Sequence, residues 1–518
     1  MLAHFLGGVG LFLLGMTLLT DGLKLAAGPA LEVMLSRWTS TRSRALASGV
    51  AITALVQSSS AVTVATLGFV NAGLLMFEHA TWVIFGSNVG TTLTAWLVAL
   101  LGFSIKIDAY ALPLIGIGAF IHLGGRSPRL KAAGTAIAGF GLLFLGIDAM
   151  KSAFEGFGAN FTDNLNFGDN LSLLWMVVVG IVLTVLMQSS SAAIAIILTA
   201  IAGKMLPLEA GAAAVIGANI GTTSTAILAS FGATANAKRL SLAHVLFNLI
   251  TGAAALAMLP LFLWALGALS GMRQDLNNPA VLLAAFHTVF NLLGVALMWP
   301  LGTPMTAWLK TRFQKGGKVL SLQHLDKSAI VVPDVAIHAV VMELERFQGL
   351  LSAHIQNSLL NPGDHRTLET RRELRELLDE LNQHITNILH QPLRLPLTQQ
   401  LPQCLQVIQY AYNLLETLDE VEQEPSLDRS LTAPMNDWLN LYCHPSIVTE
   451  TAQEGADSAA QAELSYREAK QRLLDDALEK TLKLTTMNQA LQRLSLYKRM
   501  QEQMLKAARL VAGLKPGT

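Results

Sequence analysis

The chain has 518 residues, 52% of them hydrophobic and 14% charged, with a mean hydropathy of +0.46 and zero formal net charge. Soluble domains carry about 25% charged residues, so this composition argues against a wholly soluble protein. The zero balance leaves no basic excess to neutralise a nucleic acid, and two cysteines, Cys404 and Cys443, are too few for a disulfide scaffold and fit a reducing cytosol.

The apolar character is confined to the part before about residue 310, which divides the chain into a transmembrane domain over 1–312, a linker over 313–330 and a soluble helical domain over 331–515. The first apolar stretch, over 2–21, lacks a basic leader because only His4 precedes it. A near-copy also recurs inside the chain, so a transmembrane helix is expected rather than a signal peptide. Next comes 45–76, too long for one roughly 20-residue span and interrupted by Gln57-Ser58-Ser59-Ser60. Helices near 81–102, bearing Gly86-Ser87-Asn88-Val89-Gly90-Thr91-Thr92, and near 110–123 complete this part.

A second copy then begins. Helix 131–150 repeats the glycine pattern of the first helix, and 171–205 carries Gln188-Ser189-Ser190-Ser191. The span near 209–231 carries Gly217-Ala218-Asn219-Ile220-Gly221-Thr222-Thr223. Gln57 to Gln188, Asn88 to Asn219 and Gly10 to Gly141 are each 131 positions apart, so repeats over about 4–102 and 135–233 descend from one duplicated unit. Two more spans follow, near 240–269 and 279–308, each with a His-x-x-Phe-Asn string ending at Asn248 and Asn291.

Basic clusters at Arg37/Arg42/Arg44, Arg126/Arg129/Lys131, Lys238/Arg239 and Lys310/Arg312/Lys315/Lys318 belong in the cytoplasm, whereas the acidic or mixed loops at 155–169 and 273–275 lie outside. An odd number of crossings then separates the copies, which makes them inverted. A full crossing by 45–76 or 171–205 would put basic loops on opposite sides, so each is expected to be a re-entrant hairpin with its serines at the tip. The fold class expected is all-α: a polytopic bundle in the cell (inner) membrane, followed by a cytoplasmic helical bundle.

Irregular backbone inside a bilayer must line a cavity or a protein-filled site. Helix N-termini attract anions, and serine hydroxyls both donate to and accept from a partly protonated tetrahedral oxyanion. The Asn-x-Gly-Thr-Thr strings offer the hard oxygen ligands of a small cation, with Gly90 and Gly221 expected to unwind the chain so that carbonyls face it. Neither string holds Lys or Arg. A divalent anion entering a negative cell works against about 4.6 kcal/mol per 100 mV, at roughly 2.3 per charge, so cation coupling is expected. Sodium is favoured over protons because no Asp or Glu lies within the strings. The candidate site is therefore Gln57, Ser58, Ser59, Ser60, Asn88, Thr91, Thr92, Gln188, Ser189, Ser190, Ser191, Asn219, Thr222 and Thr223, with Asn248 and Asn291 secondary. For those two asparagines an ordinary interhelical hydrogen bond is the simpler role.

At these strings the chain resembles the type II sodium–phosphate cotransporter family and its bacterial relatives, over roughly residues 1–309. The resemblance implies that Ser58–Ser60 and Ser189–Ser191 contribute to phosphate and sodium sites and that the repeats form the transport path. Sodium-coupled phosphate symport by alternating access is the function implied, with phosphate export or a membrane phosphate sensor as alternatives. The expected partners are inorganic phosphate, sodium and lipid; homo-oligomerisation is left open, and no organic cofactor is expected. An enzyme is not, since Cys/His metal spacing, a Gly-x-Ser-x-Gly elbow and a phosphate-binding P-loop are all missing from the sequence.

Beyond Gly316-Gly317 the pattern is amphipathic. Leu374, Leu377, Leu378, Leu381, Ile385 and Ile388 follow helical spacing, and helices are expected near 333–360, 364–390, 397–423, 428–442, 447–482 and 485–513. This half resembles the PhoU-like domains of bacterial members. The string Asn413–Glu420 departs from their acid-x-x-x-Asp metal pattern, with Glu420 at i+4 from Glu416 and Asp419 one position early, so a solvated helix face is the simpler reading of Glu416, Asp419 and Glu420.

Overall fold

The computed structural model describes residues 2–101, 108–157, 170–231, 233–272, 278–313, 320–325, 333–360, 365–389, 395–423, 452–479 and 482–514. The described residues hold no strand, and the chain divides into two compact units, Met1–Gln314 and Lys315–Thr518. The protein is all-α.

In the first unit the helices are α1 (Leu2–Arg37), α2 (Arg42–Val56), α3 (Ser59–Asn71), α4 (Phe77–Trp96), α5 (Asp108–Gly124) and α6 (Pro128–Phe157). They continue with α7 (Asn170–Met187), α8 (Ser190–Ala202), α9 (Leu208–Gly221), α10 (Thr223–Ser230), α11 (Ala235–Met272) and α12 (Pro279–Lys310). Among the described residues six stretches are long and apolar enough to cross a membrane: α1, α4, α6, α9 with α10, α11 and α12. The span expected over 110–123 is α5, whose 17 residues reach only about 25 Å. Outward faces carry large exposed apolar side chains, among them Phe120 and Leu123 on α5 and Trp175 and Leu186 on α7, a surface suited to lipid rather than water.

The 131-residue offset recurs in the backbone. Gln57 and Gln188 are both left-handed, at φ 59° and 52°, as are Gly73 and Lys204, at 67° and 59°. Helices α3 and α8 each have 13 residues. Helices α1 and α6 correspond under the same offset and pack together through small residues. A Cβ on Gly15 would lie 2.3 Å from Leu143 N, and one on Gly146 would lie 2.4 Å from Phe12 N. Gly8 meets Met150 and Gly22 meets Ala136, so numbers rise along one helix as they fall along the other. The counterparts run antiparallel. Lipid supplies no hydrophobic drive for helix association, and such glycines let backbones approach closely enough for dispersion to act.

A second close approach defines the path of each hairpin. Gly49 abuts Val83, Gly86 abuts Leu46 and Val50, and Gly90 abuts Val50 and Thr53, so α2 and α4 run parallel. Helix α4 therefore starts beside the beginning of α2, and α3 must carry the chain back there from the Gln57–Ser58 break. The second copy repeats this through Gly180 on Ala214 and Gly217 on Val177. The span expected over 209–231 is divided at Thr222, which separates α9 from α10.

The second unit contains α13 (Pro333–Leu360), α14 (His365–Leu389), α15 (Leu395–Gln423), α16 (Ala452–Leu478) and α17 (Leu484–Leu514). The apolar stripe from Leu374 to Ile388 is buried along α14. Part of the expected linker is anchored: the backbone N–H groups of Gln323 and His324 donate to the buried Glu343 carboxylate at 2.9 and 2.8 Å, and Arg346 pairs with the same group. The helix expected over 428–442, Cys443, and the loops over 158–169 and 273–277 lie outside the described residues.

Candidate functional site

Both hairpin tips are built by the same local chemistry. Gln57 ends α2 in a left-handed conformation, its N–H bonding to Thr53 O at 2.7 Å. Ser58 is extended and caps α3, its Oγ accepting from Ala61 N at 3.3 Å. Ser189 caps α8 identically, accepting from Ala192 N at 3.3 Å. The following first-turn N–H groups have no acceptor within their own helix. Each tip therefore presents free donors, hydroxyls and the positive end of a helix dipole.

The two tips meet. A cavity of about 230 Å³ is lined by Gln57–Ser60, Gln188–Ser191 and four residues of α1: Met16, Thr17, Thr20 and Asp21. It has room for one tetrahedral oxyanion with several waters. Ser59, Ser190 and Ser191 are at least nine-tenths buried. Asp21 is the one charged side chain among the lining residues. The first tip also touches the second repeat, with Ser60 Oγ 3.4 Å from Thr225 Oγ1 of α10.

Thr17, Thr20 and Asp21 escaped the sequence reading, which used Asp21 only to end the first span. Their spacing was a usable signal: polar residues at i, i+3 and i+4 share one face of an otherwise apolar helix.

The Asn-x-Gly-Thr-Thr residues are placed differently. Asn88, Thr91 and Thr92 are buried on α4 and spend donors on their own helix, at Ile84 O, Ser87 O and Val89 O. Thr222 and Thr223 bond Asn219 O and Ile220 O in the same way. None of these side chains lines the serine cavity. Gly90 does not unwind its helix, because α4 continues through it to Trp96. The helix of Gly221 does end there, with the break at Thr222. Close packing constrains both glycines: a Cβ on Gly90 would meet Thr53 Cβ at 2.7 Å, and one on Gly221 would meet Thr184 Cβ at 2.8 Å.

Asn219 Nδ2 donates to Asn248 Oδ1 at 2.6 Å, joining α9 to α11, whereas Asn291 Nδ2 returns to His287 O at 2.8 Å within α12. In the second unit Glu416 is exposed, Asp419 accepts from Arg371 at 2.8 Å and pairs with Arg375, and Glu420 lies 3.5 Å from Arg499. Arginine occupies the surroundings of two of the three acids.

Comparison with known proteins agrees with this architecture. The chain is 28% identical over 442 residues to the "Putative inorganic phosphate export protein YjbB" of Escherichia coli (strain K12), covering 83% of this chain and 79% of that protein. The protein of the same name in Salmonella typhimurium is 28% identical over 443 residues, with the same coverage. The "Uncharacterized protein YqeW" of Bacillus subtilis (strain 168) is 33% identical over 296 residues, which is 56% of this chain and 91% of YqeW. No solved structure matches the chain. The family model described as Na+/Pi-cotransporter matches residues 11–152 and 169–274, across both serine strings. The chain is a multi-pass membrane protein of the Na+/Pi-cotransporter family.

Proposed function

We propose that this chain is a secondary transporter that moves inorganic phosphate by alternating access, coupled to sodium, with the anion held between the two serine tips. The observation that supports it most is the sharing of one cavity by both Gln-Ser-Ser-Ser strings. Two capped helix N-termini and a ring of hydroxyls suit an oxyanion that is partly protonated, because such an ion both accepts and donates.

Lys and Arg are missing from the lining residues. Two sodium ions carried with a divalent phosphate cancel the membrane-potential term of about 2.3 kcal/mol per charge per 100 mV, and a third makes entry favourable. In this scheme α2–α3 and α7–α8 are re-entrant hairpins opening from opposite sides. Cysteines placed at Ala45 and Met76 should then label from the same side of the membrane.

The relatives named for phosphate export favour outward flux as the second reading of direction. An inward sodium gradient drives a symporter inward, so net export requires an outward phosphate gradient larger than the sodium term, or a cycle without sodium. Radiolabelled phosphate flux in proteoliposomes separates the readings. Sodium-driven accumulation is expected for native protein and strong loss for Ser59→Ala/Ser190→Ala. Binding without flux would instead identify a sensor. The second unit is proposed to lie in the cytoplasm and to regulate the carrier; deletion of residues 320–518 should change the transport response to internal phosphate.

A further inference from the structure

Asp21 is an unusual residue to find in an anion cavity. It lies within the apolar stretch Ala3–Ala27, where a carboxylate is disfavoured and marks function more often than structure. It also shares its cavity with both serine tips. An ionised carboxylate there would repel the phosphate that the helix N-termini attract. Lys24, one turn on, forms an ion pair with it at 3.9 Å, but the acid is 60% exposed and the pair is too long for a hydrogen bond. Lys24 is also not among the lining residues, so the pair offsets little of the charge facing the cavity.

Two hydroxyls accompany the carboxylate. Thr17 and Thr20 line the same cavity from positions i−4 and i−1 of Asp21. Thr17 Oγ1 donates its proton to Leu13 O at 2.8 Å, which leaves oxygen lone pairs to accept a cation. One carboxylate with neutral oxygens is the hard donor set that a small cation prefers.

This wall has no mate across the repeat. The residues 131 positions on are Asp148, Lys151 and Ser152 of α6, and none of them lines the cavity. The anion tips come from both copies, while the α1 wall comes from one.

Resting on the transport reading above, we propose that Asp21, with Thr17 and Thr20, forms a sodium site in the wall of the serine cavity. Its occupation converts a repulsive carboxylate into a neutral partner and so admits phosphate. Coupling follows directly, since the empty site opposes the anion and the loaded site does not.

The test is sodium activation of radiolabelled phosphate uptake by the full chain in proteoliposomes, at fixed pH and clamped membrane potential. Asp21→Asn is expected to raise half-saturating sodium at least about tenfold, whereas Asp21→Glu, which keeps the charge, stays within about threefold of native. Thr20→Val leaves the charge unchanged and guards against misfolding of the Asp21 variants; a rise of about threefold is expected. Native sodium activation in both Asp21→Asn and Thr20→Val overturns the site. So does a change in the pH dependence of Asp21→Asn with sodium activation intact, since that identifies a proton as the ion. Phosphate flux by native protein that ignores sodium altogether would overturn the coupling reading itself, a result distinct from either.

Discussion

Thr94 Oγ1 donates to Gln57 Oε1 at 2.7 Å and ties the first hairpin tip to α4. Under the repeat offset the matching pair is Thr225 and Gln188, and these two residues are arranged differently. Thr225 donates to Thr222 O at 2.9 Å and lies beside Ser60, while the Gln188 side chain is exposed. Gln57, by contrast, is buried. The first tip is latched to a neighbouring helix, whereas the Gln188 amide bonds back only to Val185 O, at 2.6 Å.

Removal of the latch should therefore cost more in the first copy. Thr94→Val leaves the buried Gln57 carbonyl oxygen without its donor, and an unpaired buried acceptor costs about 1–3 kcal/mol. Thr225→Val removes a bond that a local carbonyl already shares, so less than about 0.5 kcal/mol is expected. Thermal unfolding of the purified protein in detergent checks the ranking. Equal losses would mean that the asymmetry has no energetic content.

The glycines of the α2–α4 and α7–α9 contacts should be intolerant for a reason independent of transport. A Cβ on Gly86 would stand 2.1 Å from Leu46 O, and one on Gly217 would stand 2.0 Å from Val177 O. A helical carbonyl cannot retreat without breaking its own ladder, so Gly86→Ala and Gly217→Ala should each lose about 3 kcal/mol or more. Gly10 has no atom within 4 Å of such a Cβ. Gly10→Ala should be neutral or stabilise by up to about 1 kcal/mol through helix propensity. Monodispersity on size exclusion, followed by melting temperature, reads all three.

These two cases also mark where sequence reasoning succeeded and where it stopped. The paired tips were legible because both copies need the same left-handed glutamine and serine cap, so identical residues recur at one offset. Thr17, Thr20 and Asp21 were not, because their counterparts differ in type and a search for repeated identities passes over them. Gly90 was visible but assigned the wrong task, whereas beside Gly221 the helix does break, at Thr222. A glycine that breaks a helix and one that admits a neighbouring backbone look alike until Thr53 and Thr184, far away in sequence, are placed beside them. In the second unit the apolar stripe of α14 gave the buried face directly, since amphipathic spacing is local information. The engagement of Asp419 by Arg371 joins α14 to α15 and could not be seen from either helix alone.

Acid should loosen the second unit through His354. The side chain is buried on α13, and burial, reinforced by the nearby Arg371 guanidinium, pushes its pKa down to about 4; Glu422 opposes this only in part. The unfolded chain binds the proton near pH 6.5, so between about 6.5 and 4 the unfolded state holds more protons than the folded one. This contribution to stability is complete above pH 6.5 and falls away as pH drops toward 4, by on the order of 2 kcal/mol. Hydrogen exchange in α13 and α14 of the full chain should accelerate over that window. In His354→Gln, which cannot titrate, the acceleration should shrink.

Arg371 is the charged group on which the α14–α15 contact most depends. Its side chain is 5% exposed and reaches two acids of α15, Asp419 at 2.8 Å and Glu422, at 2.8 Å from one guanidinium nitrogen and closer from the other. Those hydrogen bonds and the two carboxylate charges outweigh burial and raise the guanidinium pKa further, so the group stays charged. Arg371→Met keeps much of the buried volume but takes the arginine from Glu422 and leaves Asp419 with Arg375 alone. The two carboxylates are partly exposed, at 20% and 31%, and can recover some hydration, so the expected loss is about 2–4 kcal/mol, toward the lower end for a broken buried pair. Arg372, one residue on, is 83% exposed and pairs only with Glu376 one turn away, so Arg372→Met should change stability by less than about 0.5 kcal/mol. Denaturant unfolding of the full chain, followed by hydrogen exchange in α14 and α15, compares the two. Similar values would show that the buried network is no stronger than a solvated surface pair.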